Sequence, residues 1–355
     1  MAINNDAFKK NAYKSKKSAF FRKGVVIALA SGLLYGFYSA FLTQGTSTGI
    51  WVDFYSNPLL SAFFITYVLG AIMSALNDTF AAITMLIKSF IRGTIGDVLR
   101  CLKTKPGVIM MCCGLAGGPI ATTAYVIGLA IAGPIAAPIS ALCSAIGAIL
   151  GRFVFKQKLN FRMICGIIIC FVAAVILGGT AFLEEGTSFI GCVIAFFAAL
   201  GWGFEGCVGG FGTSMLDNTI GVTIRECTSS IVNILILIPL LSFMAGDLTA
   251  GWSYFGKALT DISVIWIIAG GVCCAYSFMF WYKANSRVGA ALGMTCNATY
   301  SFFVPLCCWL LMGVIMGQDG WALTPVQWAM AIVEVLGIWL IAMNPLDLFR
   351  KKEAA

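Results

Sequence analysis

Apolar runs of the length needed to cross a bilayer, about 20 residues, recur ten times along the chain. They cover residues 24–42, 60–88, 107–129, 134–155, 162–182, 189–212, 219–244, 264–283, 288–316 and 325–344. No soluble domain can bury that much apolar surface internally. The residues are 60% hydrophobic and only 11% charged, where a soluble domain carries about 25% charge. Mean hydropathy is +0.93. Lipid must therefore be the solvent, and helices are the expected spanning elements. The expectation is an all-α integral membrane protein of ten transmembrane helices.

Fourteen cysteines sit singly or in pairs inside apolar runs, and histidine is absent. That pattern reads as small buried apolar residues, and it predicts neither a metal site nor a cofactor. Without histidine, a nucleophile–base arrangement or a metal cluster, an enzyme is not expected. No GxxxxGK[ST] loop is present, so ATP hydrolysis is not expected either. Net charge is +8, and it comes from terminal tails and short loops. It does not call for nucleic acid.

Lysine and arginine sort the loops into two sets. One set holds Lys88, Arg92, Arg100, Lys103 and Lys105, then Arg152, Lys156, Lys158 and Arg162, then Lys283 and Arg287. The opposite set holds Asp53, Glu184, Glu185, Asp247, Lys257, Asp261 and Asp319. Residues 1–23 and 346–355 are basic tails. Both termini are thus expected in the cytoplasm, and the chain in the cell inner membrane as a multi-pass protein. The first tail reads as a cytoplasmic extension or as a surface helix touching anionic lipid.

The run 191–212, GCVIAFFAALGWGFEGCVGGFG, repeats the stretch 27–41, IALASGLLYGFYSAF, at a shift of 167 positions. Ile27, Ala28, Leu33, Gly36 and Phe37 meet identical residues, Tyr35 meets Trp202, and Tyr38 meets Glu205. Two related halves follow, 24–183 and 189–345. Each has five spans, an odd number, so the copies run in opposite orientations. Such inverted repeats build a site between them and support alternating access.

Ten spans in two halves resemble the drug/metabolite transporter superfamily, of the EamA-like kind. So do a glycine- and aromatic-rich first helix in each half and very short third-to-fourth and eighth-to-ninth links. The most specific stretch is AAPISALCSAIGAILGRFVFKQKLNFRMICGIIICFVAAVILGG, and LTPVQWAMAIVEVLGIWL closes the second half. The resemblance covers residues 24–345. It departs at Gln157, where the family commonly has glutamate, at Trp321, and in a longer link at 317–323. It implies that the fourth and ninth helices line a central cavity. Ser140, Ser144, Thr295, Asn297 and Thr299 would then be substrate contacts, beside Pro134, Pro138 and Pro305.

Ionisable groups inside spans are expensive, so each is a candidate functional residue. Glu334 lies about 14 Å into the tenth span at 1.5 Å per residue. It reads as a counter-ion, a proton site, or a neutral acid hydrogen-bonded between helices. Glu205 reads as a substrate or coupling-ion contact, or as the partner of Arg225. Arg225 and Glu226 diverge by about 100° on their helix, so each is expected to pair elsewhere, in a gate or coupling network. Asp78 is expected near the inner surface. Aromatics gather at Tyr35, Phe37, Tyr38, Trp202, Phe204 and Tyr300. They suit an organic cation through cation–π attraction, or a sugar or nucleobase. Trp281 and Tyr282 read as membrane-interface aromatics.

The reading is a secondary transporter of a small polar metabolite, a monomer or homodimer, with proton coupling through the buried acids. The substrate is a cationic metabolite held by Glu334, Glu205, Tyr38, Trp202, Ser140, Asn297 and Tyr300. The alternative is a neutral sugar, nucleoside or amino acid. A membrane enzyme or a non-transporting receptor is the remote alternative.

Overall fold

The structure, a computed structural model, describes residues 5–154, 156, 160–183, 189–212, 215–288, 293–294 and 297–342. Among them there is no strand. Gln157, Glu184, Glu185, Thr295 and the tail 346–355 lie outside the described residues.

Helix α1 runs Asn5–Thr46 without a break. The basic segment is thus helical from Asn5 and continuous with the first span. A short α2, Ile50–Ser56, follows. A π turn, Phe64–Val68, opens α3, Leu69–Ile91, so this helix spans 64–91 and not 60–88. Then come α4, Ile95–Cys101, and α5, Lys105–Leu115. A second π turn, Ala116–Thr122, leads into α6, Thr123–Ala132. Pro119 lies inside that turn and offers no N–H to the preceding helical turn, which favours the wider register.

The short third-to-fourth link is a single 3₁₀ turn, Gly133–Ile135. Gly133 has φ +67°, a value only glycine adopts without strain. Helices α7, Ala136–Ala141, and α8, Cys143–Val154, continue from it. Next are α9, Phe161–Leu183, α10, Phe189–Gly212, and α11, Asn218–Val232. A π turn, Asn233–Leu237, joins α11 to α12, Ile238–Met244. Then follow α13, Ala250–Thr260, and α14, Val264–Val288. The eighth predicted span therefore extends five residues past Lys283. The ninth is described from α15, Tyr300–Cys308, with a π turn over Trp309–Ile315. Helix α16, Pro325–Ala342, is the last.

Six helical stretches are long and apolar enough to cross a membrane: Lys23–Thr46, Phe64–Ile91, Lys105–Val154, Phe189–Gly209, Asn218–Met244 and Val264–Arg287. Phe161–Leu177, Tyr300–Ile315 and Pro325–Ile341 are shorter apolar helices. The distribution of residues is the reverse of a soluble protein's. Phe90, Phe153, Phe161, Val175 and Phe243 are exposed, while Asp78, Glu205, Arg225, Glu226 and Glu334 are fully buried. Exposed apolar faces around a polar interior are what lipid selects.

Helix α1 packs along α14 and α15, and α10 packs against α5 through α8. Helix α11 lies on α3 and α5, and α9 pairs with α16. Helices α1 and α14 run antiparallel, with Ala28 against Ala284 at one end and Gly45 against Ile267 at the other. Ser31 and Ser277 lock this pair, each hydroxyl donating to the other's carbonyl at 2.6 and 2.8 Å.

Candidate functional site

Two polar assemblies occupy the interior. The first is centred on Arg225, on α11. Its Nε donates to Glu205 Oε1 at 3.0 Å and its Nη2 to Glu205 Oε2 at 3.3 Å. The same carboxylate accepts from the Tyr282 hydroxyl at 2.6 Å. Glu205 and Arg225 are thus partners, one of the two readings the sequence left open. Arg225 Nη1 turns back to Glu226, at 3.1 and 3.0 Å from its two oxygens. Here the expectation that neighbours on one helix do not pair is corrected. The guanidinium presents five donors in a fork. One edge meets Glu205 while the opposite end reaches round to Glu226, so the 100° divergence of the Cβ atoms does not separate the charged ends. Phe278 covers the guanidinium face, 4.0 Å from Cζ to the ring centroid.

Asp78 belongs to the same region and does not lie at the surface. Helix α3 begins and ends later than expected, which leaves Asp78 near the middle of 64–91. It is fully buried and accepts from Ser229, from Asn233 Nδ2 at 3.0 Å and from Asn77 Nδ2 at 3.1 Å. Arg225, Ser229 and Asn233 are spaced four residues apart and line one stripe that runs from α11 into the π turn after it. The cluster holds three acidic side chains and one guanidinium, an excess of two acids.

The π turn 116–122 seats this cluster. A Cβ at Gly117 would stand 1.9 Å from Glu205 Oε2, and one at Gly118 would stand 1.5 Å from Ser229 Oγ. Only glycine lets the backbone come that near. The Gly117 carbonyl accepts from the Thr122 hydroxyl at 2.7 Å and from Trp202 Nε1 at 3.1 Å.

Trp202 leads to the second assembly, an aromatic chamber. Tyr35 stacks on Tyr300 at 4.5 Å between centroids and meets Tyr38, Tyr125 and Trp202 edge-on at 4.9, 5.5 and 5.7 Å. Ser140 and the Tyr300 hydroxyl share a hydrogen bond of 3.1 Å, and Ser39 bonds Tyr125 at 2.7 Å. Asn297 Oδ1 lies 2.6 Å from the Ser31 hydroxyl. A pocket of about 10 Å³ beside these rings, lined by Tyr35, Trp202, Tyr300, Phe278 and Trp281, is at the lower limit for a single water molecule, so the side chains leave no room for a substrate. The Tyr35 and Tyr38 hydroxyls, Ser144 Oγ and Trp281 Nε1 are buried with no partner among the described residues. Such atoms are costly to leave unpaired.

Of the residues singled out from sequence, Tyr38, Trp202, Ser140, Asn297 and Tyr300 come together here. Glu205, Arg225, Glu226 and Asp78 form the adjoining charged cluster. Glu334 joins neither by a hydrogen bond. It is buried on α16, where its backbone carbonyl accepts from Cys170 Sγ of α9 at 3.7 Å, and both its carboxyl oxygens lack a partner among the described residues. Trp281 and Tyr282 are not interface aromatics, since both are buried and Tyr282 holds Glu205. Sequence reasoning also missed Ser229, Asn233, Gly117, Gly118 and Tyr125. The stripe 225, 229, 233 was a signal for the first two.

Beyond the chamber, an open vestibule of about 480 Å³ is lined by Thr43, Thr46 and Ser47 at the end of α1, by 129–135, and by Asp319, Trp321 and Gln327.

No family model matches the chain, and no curated protein is significantly similar to it. Among solved structures, one described only as "Crystal structure of protein" is 16% identical, with a TM-score of 0.55. That match covers 94% of this chain and 99% of the other. The likeness is one of fold. The chain is an all-α protein of multi-pass membrane architecture, with buried charge inside an apolar helical shell.

Proposed function

We propose that this protein is a secondary transporter of the drug/metabolite transporter type, EamA-like, moving a small polar metabolite across the inner membrane by alternating access. In this reading ten helices form two inverted halves with both termini cytoplasmic. The repeat mates Tyr35 and Trp202 in ring contact support it. So do π turns at Phe64–Val68 and Asn233–Leu237, which correspond to within two positions of the 167-residue shift.

The observation that carries the proposal is the tightly packed aromatic chamber, built from α1, α6, α7, α10 and α15 beside a fully buried charged cluster. Rings packed this closely need a conformational change to admit a substrate. The vestibule gives one approach to it. The Arg225 cluster ties α10, α11 and α14 together and serves as the opposite gate. Its excess of acids makes it the seat of proton coupling, since a proton taken up at Glu205 weakens its hold on Arg225.

A neutral polar substrate gains support over a cationic one. Glu205, Glu226 and Asp78 already have internal partners, whereas the chamber's unsatisfied atoms are hydroxyl and indole groups. The test is a solute screen in proteoliposomes with and without a pH gradient. Gradient-dependent flux of a neutral polar solute, abolished by Glu205→Gln, is expected. Flux indifferent to both the gradient and the substitution would remove proton coupling from the proposal, and absence of flux for every solute would remove transport.

A further inference from the structure

At the end of the α1–α14 pair remote from the vestibule, positive charge collects with little negative charge to match. A cleft of about 840 Å³ opens between α3, α11 and α14, with Lys88, Arg92 and Lys283 on its walls. Arg92 is engaged, 3.6 Å from Asp217 and donating to the Thr219 hydroxyl. Lys88 and Lys283 have no carboxylate within ion-pair distance among the described residues. Lys88 is nonetheless held at the cleft, its Nζ 4.5 Å from the centroid of the Tyr276 ring. Lys283 also feels the positive charges of Arg287, Lys23, Lys88 and Arg92. Like charges gathered this way repel unless an anion lies among them.

The walls also limit what the anion is. Ile87 and Ile91 on the same rim are 55% and 78% exposed, and Val272 stands opposite. A soluble anion would satisfy the cations and leave this aliphatic rim untouched. An amphiphile with a phosphate headgroup meets both. The first N–H groups of α11 are already taken, since Asp217 Oδ1 accepts from Thr219 N at 2.9 Å and from Ile220 N at 3.4 Å. The ligand's partners are therefore side chains. We propose that this cleft is a binding site for an acidic phospholipid, with Lys88 and Lys283 on the phosphate and the acyl chains along Ile87 and Ile91. The assignment rests on the membrane architecture and not on transport.

The full-length protein in neutral detergent, analysed by native mass spectrometry, tests it. Phosphatidylglycerol is expected to be retained in preference to phosphatidylcholine. Lys88→Gln and Lys283→Gln should each weaken that retention about fivefold, while Lys88→Arg and Lys283→Arg should keep it. Retention unchanged by the glutamine variants, or equal for the two lipids, overturns the site. Displacement of phosphatidylglycerol by millimolar inorganic phosphate overturns the lipid in favour of a soluble anion. The single variants are each read separately, so misfolding of a double variant does not affect the outcome.

Discussion

Gly117 lies so close to Glu205 that a Cβ on it would stand 1.9 Å from Oε2 and 2.7 Å from Arg225 Nη2. The contact joins a bare stretch of backbone to the most charged point of the interior. Gly117→Ala must displace a carboxylate held by three hydrogen bonds. A loss of about 1–3 kcal/mol is expected from overpacking, seen as a lower midpoint in thermal unfolding in detergent. A midpoint equal to wild type would show that the cluster yields without cost.

Arg225 is the cation facing three buried acids. Arg225→Met leaves them uncompensated, and breaking a buried pair costs about 3–5 kcal/mol. Adding Glu205→Gln should recover part of the loss, because it removes one of the unpaired charges. A double variant no more stable than Arg225→Met alone would show that the two residues do not couple.

Tyr282→Phe deletes one hydroxyl and leaves the packing intact. Hydrogen bonds to charged groups contribute about 1.5–3 kcal/mol, so a drop of that size in stability is expected. An unchanged midpoint would show that the hydroxyl adds nothing to the hold on Glu205.

Glu334 predicts an opposition between stability and activity. Its carboxyl is buried without a partner among the described residues, and such a group costs about 1–3 kcal/mol. Glu334→Leu should therefore raise thermal stability while reducing flux. A destabilised Glu334→Leu would mean that the carboxyl is satisfied in the folded protein.

Asp261 lies between α13 and α14, outside the apolar spans. Hydrogen bonding from Ser263, whose backbone N–H donates to Asp261 Oδ1 at 2.9 Å, holds its carboxyl below the usual carboxylate range. A lowered folded value means that Asp261 stabilises the fold above the unfolded range, about pH 4. That contribution fades as pH falls through the folded value. The difference in unfolding midpoint between wild type and Asp261→Asn should be present at neutral pH and close below pH 4.

The helical, lipid-facing architecture was legible because it depends on run length and composition, which need no knowledge of packing. The pairing of Arg225 with Glu205 was legible for a related reason: a buried cation demands an acid, and few acids are available. Tyr282 was not, because an aromatic near a helix end suits the membrane interface equally well. Helix α14 carries on to Val288, which takes that position inside the bundle. Asp78 was misjudged because its depth depends on where α3 begins, and that start is set by a π turn that leaves no hydropathy signal. Gly117 and Gly118 gave no signal in the sequence, because what demands glycine there is the charged and polar groups that other helices place opposite them.

The π turn 116–122 holds one residue more than an α turn would. If that extra residue passes along the helix, every position it crosses rotates by about 100°. Gly117 and Gly118 lie within it, so such a passage would swing both away from Glu205 and Ser229 and bring side chains with a Cβ against the carboxylates. The charged cluster is thus matched to the one register in which the extra residue stays at 116–122.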